Sequence, residues 1–281
     1  MKPKKLTKIN IFANIVLFII KVIASIMTNS ISIISDTLNT FLDIFTAIIS
    51  NFAIKISNKK PDKNHNFGHK QAEPISALII SILAAVVGFE IIRNSFFRII
   101  TQEDILLSKE AIFLLLFSIS IKLIITFLCY KSKIKEQNTV IDAIRIDSRN
   151  DVLATSIALI GYVLSYTNYS YFDSIFGLFI GIFILKSSYE MANKNVKFLM
   201  GEKPKKESFN EIKKIIKNNK FIKGIEYINA KYDGTDIFYE IKIVLNGNLT
   251  TFESHSILKG IKEDLECKKK ISKVFISIKP I

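Results

Sequence analysis

Long apolar segments alternate with short polar ones over the first two thirds of the chain. A helix that spans a bilayer needs roughly 20 mostly apolar residues. The segments that meet this requirement are 7–28, 32–57, 73–98, 106–130, 139–165 and 172–195. After residue 200 the apolar runs are too short to span. The pattern predicts a domain of six transmembrane helices over residues 1–199 and a soluble domain over residues 200–281.

The soluble domain has the periodicity of two helices and three strands. The predicted elements are a helix at about 207–219, a strand ending at Tyr232, a strand at 237–245, a helix at 250–267 and a strand at 271–278. An Asp233-Gly234 turn joins the first two strands. The order α-β-β-α-β predicts a small α+β sandwich in which two helices cover one antiparallel sheet.

Composition supports a membrane protein. The 281 residues are 49% hydrophobic and include 22 Phe, and the mean hydropathy is +0.31. Lys and Arg number 39 against 25 Asp and Glu, a formal charge of +14. In a chain with many spans, cytoplasmic loops and an anionic membrane surface explain this excess best. We therefore expect membrane lipids, and no nucleic acid, among the partners.

The distribution of Lys and Arg predicts the orientation in the membrane. These residues cluster at the N-terminus, in residues 58–71 and in residues 131–135, whereas the turns at 29–31 and 166–171 have none. Basic residues concentrate in cytoplasmic loops. We expect a multi-pass protein of the cell membrane with both termini in the cytoplasm.

Acidic side chains occur at depths where the spans should be apolar. An ionisable side chain at mid-bilayer costs ~2.5–3.5 kcal/mol on insertion scales. The second span nevertheless carries Asn39 and Asp43, and the fifth carries Asp147 and Asp151. Residues four apart share a helix face, so two helices that meet along these faces would join four oxygen-bearing side chains. This pattern predicts a divalent-cation site.

The remaining polar residues of the spans have less definite roles. A structural ion-pair network, in which Arg145 or Arg149 neutralises an acid, is the alternative to a metal site. Asp36 lies close to the same face of the second span, as a proton relay or as a polar contact between helices. Lys21 and Lys122 are isolated in the sequence, and we expect them to extend toward the membrane interfaces or to pair there.

The loop after the second span contains two of the three histidines. Asp62, His65 and His69 offer one carboxylate and two imidazoles, which is the chemistry of a transition-metal site. A solvated basic loop is the alternative. The third histidine, His255, falls on the second helix of the soluble domain, where we expect a surface position.

Together these motifs resemble the cation diffusion facilitator family. The resemblance is carried by the second-span segment from Ser30 to Asp43, the loop from Asn64 to Glu73 and the fifth-span segment from Asp147 to Ser156. It covers essentially the whole chain. It implies a six-span metal exporter that is not an enzyme, with a cytoplasmic ferredoxin-like domain and a homodimeric assembly.

The resemblance also assigns residues to sites. It implies that the four polar residues of the second and fifth spans form the transport site, and that the Asp-His-His loop matches a loop site of the family. Zinc transporters of the family usually have a histidine where this chain has Asp147, so the four residues resemble those of the manganese-exporting subgroup. The chemistry agrees, because imidazole and thiolate favour Zn²⁺ whereas Mn²⁺ favours hard oxygen ligands.

Two family features are altered. By position, the additional metal site of the family's tail falls on Glu226, Lys242, His255, Ser277 and Lys279, of which only His255 is a good ligand. We therefore expect this tail to serve dimerisation rather than metal binding.

The second altered feature is the charge contact between the third span and the tail. Gln71 and Gly201 occupy its expected positions, with Lys70 and Glu202 adjacent as substitutes.

The sequence thus predicts export of Mn²⁺ from the cytoplasm in exchange for protons, because protons and metal compete for the same oxygens. Export of Zn²⁺, Fe²⁺, Co²⁺ or Cd²⁺ is the alternative. A more distant alternative is an intramembrane Mg²⁺-dependent transferase, since paired acids on neighbouring helices also bind Mg²⁺ for phosphoryl transfer. The chain has no P-loop pattern to support it.

Overall fold

The described part of the chain forms eight helices and three strands. The computed structural model describes residues 3–101, 105–133, 139–165, 171–217, 219–267 and 271–280, without the side chains of 3–7, 132–133 and 139–143. The elements are α1 (Pro3–Thr28), α2 (Ile31–Ser57), α3 (Ala72–Thr101), α4 (Lys109–Lys133), α5 (Thr139–Leu164), α6 (Tyr171–Leu199), α7 (Lys206–Lys217), β1 (Ile222–Asp233), β2 (Asp236–Leu245), α8 (Thr251–Glu266) and β3 (Ile271–Pro280).

The predicted fold class, a helical membrane region followed by a small α+β domain, is confirmed. Among the described residues, five helices are long and apolar enough to cross a membrane, namely α1, α2, α3, α4 and α6. The sixth, α5, is 26 residues long, and its acidic and basic residues lower its hydropathy. Of the loops that the orientation rests on, residues 134–138 and 166–170 lie outside the described residues.

The chain divides into two compact units. Residues 1–51 and 79–191 form the first, which we call the membrane unit. Residues 52–78 and 192–281 form the second, which we call the tail unit. The tail unit therefore includes the ends of three long helices and the loop with the two histidines.

Asp173, in the first turn of α6, caps the beginning of α2. Its carboxylate accepts hydrogen bonds from the backbone N–H groups of Ile31 (2.6 Å) and Ser32 (3.3 Å) and from the hydroxyl groups of Ser30 (2.5 Å) and Ser32. Asp173 is only 1% exposed. A carboxylate in this position satisfies N–H groups that have no partner within the helix and interacts favourably with the helix dipole. It fixes where α2 begins, and so the depth of the polar residues that follow.

Glycines allow α3 and α6 to approach closely within the membrane unit. A Cβ atom on Gly181 would lie 2.8 Å from Ile92 Cγ1 and 3.2 Å from the carbonyl oxygen of Gly88. Small residues at such crossings let backbones pack tightly in lipid, where van der Waals contact replaces the hydrophobic effect as the driving force.

The sheet of the tail unit differs from the prediction in one respect. Its strand order is β1-β2-β3, with β1 antiparallel to β2 but β3 parallel to β2. The expected fully antiparallel sheet was wrong, because α8 connects β2 to β3 as a crossover and returns the chain to the same end of the sheet. The predicted turn is present, and Gly234 has a φ of +65°. Helices α7 and α8 supply Ile212, Ile216 and Ile261 to the core on one face.

The cap at the beginning of α2 can be tested with Asp173→Ala. Removing the carboxylate leaves buried N–H and hydroxyl groups without their acceptor, so we expect a loss of about 2 kcal/mol in the free energy of unfolding. Thermal unfolding of the detergent-purified protein measures it. Asp173→Asn keeps one acceptor oxygen and should lose less; equal stability of wild type and Asp173→Ala would contradict the assignment.

Candidate metal sites

Helices α2 and α5 bring three of the predicted site carboxylates within electrostatic range of one another, although their oxygen atoms do not all lie within the 4.8 Å that would make a ready ligand set. Asp43 interacts electrostatically with both Asp151 and Asp147, and Asp147 interacts with Asp151. Their exposure is graded: Asp151 is 3% exposed, Asp43 is half-buried and Asp147 is exposed. The group therefore opens on the side of Asp147, the residue nearer the N-terminus of α5.

Asn39, the fourth predicted residue, lines a cavity beside this group. The cavity has a volume of about 320 Å³ and lies between α2, α5 and α6. Asn39 and Asn150 are its polar lining residues, and Phe176, Phe179 and Phe183 are among the apolar ones. Asn39 and Asn150 thus line the same cavity.

Lys122 of α4 ion-pairs with Asp151, a contact that the sequence did not reveal. Its Nζ atom contacts Asp151 Oδ2 and donates a hydrogen bond to Asn14 Oδ1 of α1 at 2.7 Å. The Lys122 side chain is 3% exposed. Of the two expected outcomes, extension toward an interface or pairing, the structure shows pairing, since Lys122 lies buried between α1, α4 and α5. The ion-pair alternative is thus correct in part, but the cation that neutralises Asp151 comes from α4 and not from α5. In the sequence, this contact was indicated only by a lysine within a span that had no assigned partner.

Lys21 and Asp36 form a second buried ion pair, which joins α1 to α2. Lys21 Nζ lies 2.8 Å from Asp36 Oδ2, and it donates to the hydroxyl oxygens of Thr40 (2.9 Å) and Thr155 (2.8 Å). Asp36 is fully buried and Lys21 is 2% exposed. Lys21 likewise pairs rather than extending outward. The network links three helices immediately behind the carboxylate group, because Thr40 follows Asn39 and Thr155 lies one turn after Asp151.

The loop of the tail unit brings Asp62, His65 and His69 together as predicted. His65 Nδ1 and His69 Nε2 each lie 3.2 Å from an Asp62 carboxylate oxygen, and the two ring centroids are 4.5 Å apart. One ligand atom from each residue falls within 4.8 Å of the others, the only such group of His, Cys, Asp or Glu in the described chain. Hydrogen bonds from the backbone N–H groups of His65 and Asn64 lower the pKa of Asp62. The loop thus presents an ionised carboxylate and two imidazoles.

The tail positions that resemble a family metal site hold an ion-pair cluster across three strands. Glu226 on β1 lies 3.3 Å from Lys242 Nζ on β2 and 3.2 Å from Lys279 Nζ on β3. The hydrogen bond from Lys279, together with Lys242, lowers the pKa of Glu226. His255 is exposed on α8. Two ammonium groups therefore occupy the space around the carboxylate at these positions.

In the described part of the tail unit, Lys70 and Glu202 have other partners and do not pair with each other. Lys70 Nζ instead lies 2.6 Å from Asp236 Oδ2, and Glu202 Oε1 lies 3.5 Å from Lys197 Nζ. Nearby, Glu73 accepts a hydrogen bond from Ser57 at 2.6 Å. The beginning of α3 is thus tied to the turn between β1 and β2.

Comparison with known proteins assigns both halves of the chain. Residues 7–200 match the family model described as the cation efflux transmembrane domain, and residues 204–281 match that of the cation efflux protein cytoplasmic domain. An uncharacterized transporter of Methanocaldococcus jannaschii is 29% identical over 96% of this chain and 95% of its own length. The manganese efflux system protein MneP of Bacillus subtilis is 27% identical over 99% and 96%. The cation-efflux pump FieF of Shewanella oneidensis is 22% identical over 90% and 86%.

The pairing of Lys21 with Asp36 can be tested by removing one charge and then both. Lys21→Met leaves a buried carboxylate without its cation, so we expect a loss of about 3–5 kcal/mol in the free energy of unfolding. The double variant Lys21→Met/Asp36→Asn removes both charges and should recover most of that loss. Thermal unfolding of the wild type, Lys21→Met, Asp36→Asn and the double variant gives the coupling energy; additive effects of the two substitutions would show that the pair is not energetically coupled.

Proposed function

The chain belongs to the cation efflux family, and we propose that within it this protein exports Mn²⁺ from the cytoplasm in exchange for protons. Family membership makes it a multi-pass membrane protein that transports divalent metal cations, a function that is not enzymatic. The observation that carries the manganese proposal is the all-oxygen group on α2 and α5. It contains three carboxylates and a neighbouring amide, without imidazole or thiolate.

The ligand chemistry favours Mn²⁺ over Zn²⁺ as cargo. Zn²⁺ gains affinity from nitrogen and sulfur ligands, while Mn²⁺ is held mainly by oxygen atoms in larger coordination shells. Asn39, Asp43, Asp147 and Asp151 with water could complete such a shell. The relative named for manganese efflux aligns over 99% of this chain, which supports the same cargo. Zn²⁺, Fe²⁺, Co²⁺ and Cd²⁺ are the competing cargoes in the assay below.

Proton exchange follows from the same oxygens. A carboxylate that binds a cation cannot bind a proton on the same lone pair, so metal and protons displace each other. An alkaline cytoplasm would then favour loading, and a more acidic exterior would favour release. Asp36, fully buried one turn from the site, is a candidate relay for these protons.

The exposure gradient supports a conformation open to the cytoplasm. Asp147 is exposed and Asp151 is buried, and Asp147 is the nearer to the N-terminal end of α5. With both termini in the cytoplasm, as the distribution of Lys and Arg favours, that end of α5 faces the cytoplasm. The carboxylate group would therefore load from that side.

The tail and its loop have separate roles in this proposal. The cytoplasmic domain holds two subunits together as a homodimer without metal, since Lys242 and Lys279 already neutralise Glu226. The loop of Asp62, His65 and His69 binds a divalent cation of its own, because its ligand atoms are already close. Its two imidazoles suit a softer ion than the oxygen group does.

Transport by the oxygen group can be tested with Asp147→Ala in proteoliposomes. Removing an exposed carboxylate should leave folding and dimerisation intact and abolish Mn²⁺ uptake driven by a pH gradient. Glu90→Ala is the matched control, because it removes an acid from α3 that pairs locally with Arg93 at 2.7 Å. The panel should include Mn²⁺, Zn²⁺, Fe²⁺, Co²⁺ and Cd²⁺; undiminished transport by Asp147→Ala would contradict the site assignment.

Selectivity can be tested by adding zinc-type ligands to the group. We expect Asn39→Asp and Asp147→His each to shift the preference from Mn²⁺ toward Zn²⁺, because the second adds an imidazole and the first adds the carboxylate that zinc transporters of the family often have at that position. Competition of Zn²⁺ against Mn²⁺ transport measures the shift. An unchanged ratio in both variants would place selectivity outside these residues.

A further inference from the structure

A lysine pairs with Asp151, the most buried carboxylate of the proposed transport site. Lys122 Nζ pairs with Asp151, and its charge also acts on Asp43 and Asp147. The ammonium is therefore within electrostatic reach of every carboxylate in the group. At 3% exposure the Lys122 side chain is almost entirely shielded from solvent.

A divalent cation and this ammonium cannot share Asp151 at low cost. Both would lie against the same carboxylate, and like charges a few ångströms apart repel strongly where water is excluded. A buried ammonium that loses its partner also has to find another acceptor. Metal binding at Asp151 thus requires Lys122 to move; otherwise the ammonium and the metal ion would repel each other strongly.

The structure offers an acceptor to which the ammonium can move. Lys122 already donates to Asn14 Oδ1 at 2.7 Å. Asn10 lies one turn away on the same face of α1 and is 9% exposed. Its Oδ1 atom is buried without a hydrogen-bond partner among the described residues. The Lys122 side chain is flexible. While it stays near Asn14, its ammonium group can exchange Asp151 for Asn10 by moving about one helical turn, roughly 5 Å.

We propose that Lys122 is a tethered counter-cation of the transport site, which holds Asp151 when no metal is bound and moves toward Asn10 when the metal takes its place. This inference rests on the proposed function and adds a positioning residue to it. Three carboxylates and one ammonium leave two formal negative charges, which one divalent cation balances. Lys122 therefore limits how tightly the group holds its cargo, and its return to Asp151 assists release.

Metal binding to the purified full-length protein tests the proposal. We expect Lys122→Met to bind Mn²⁺ about tenfold or more tightly at fixed pH, because no ammonium has to be displaced, and to release it more slowly in single-turnover efflux. Lys122→Arg keeps the charge and should stay near wild type. Lys186→Met removes one positive charge from an exposed position of α6 and should leave the affinity unchanged.

Asn10→Leu provides a second, opposite readout. When the Asn10 amide is removed, the displaced Lys122 ammonium has lost its proposed acceptor. Mn²⁺ affinity should therefore fall severalfold in the wild-type background and remain unchanged in the Lys122→Met background. Only a lysine that moves between the two acceptors predicts this dependence; a purely structural Asn10 would act equally in both.

The outcomes separate this inference from the function it rests on. A wild-type protein that binds neither Mn²⁺ nor Cd²⁺ would overturn the proposed function and the inference together. Wild-type binding with equal or weaker affinity in folded Lys122→Met would overturn the role of Lys122 alone. If Lys122→Met folds poorly, a larger Mn²⁺-induced rise in its melting temperature than in wild type supports the proposal, and an equal or smaller rise overturns it.

Discussion

An ionised side chain within a bilayer has to be compensated by the protein itself, and this constraint organises the membrane unit. Water and counter-ions, which neutralise charges on a soluble surface, are absent at that depth. Lys21 therefore pairs with Asp36 and Lys122 with Asp151, each across two helices. Asp173 is compensated in another way, by N–H and hydroxyl donors at the beginning of α2. Each of these contacts joins one helix to another, in addition to the close van der Waals packing of α3 against α6.

The elements of this fold could be predicted from the sequence, whereas the partners of its charges could not. Apolar runs of span length and the i, i+4 spacing of the acids depend only on local sequence, so they predicted the helices and grouped Asp43 with Asp147 and Asp151. The partner of Asp151 is 29 residues away, on α4, and no periodicity relates the two. An intramembrane lysine without a nearby acid did carry a signal, namely that its partner had to lie on another helix.

The tail shows the same limit in an aqueous setting. Hydrophobic periodicity predicted its order of helices and strands, but the direction of β3 depends on where the crossover through α8 returns. The residue types at the family's metal positions in the tail predicted a loss of metal ligands. It did not reveal that Lys242 and Lys279 converge on Glu226 from neighbouring strands. That convergence depends on sheet register, with Lys242 opposite both Tyr227 and Ser277.

The need to compensate buried charges also bears on how the protein would transport its metal ion. A carboxylate group strong enough to hold a divalent cation at membrane depth cannot be left uncompensated when the cation departs, or the protein would resist releasing it. Protons are one substitute, and in the proposed exchange they would couple the cycle to the pH gradient. An internal ammonium is another, and it differs because it stays covalently attached and is therefore always available. In the proposed cycle the return of Lys122 to Asp151, its partner in the structure, would leave fewer carboxylates for protons to neutralise, so the lysine would set how many protons accompany each metal ion.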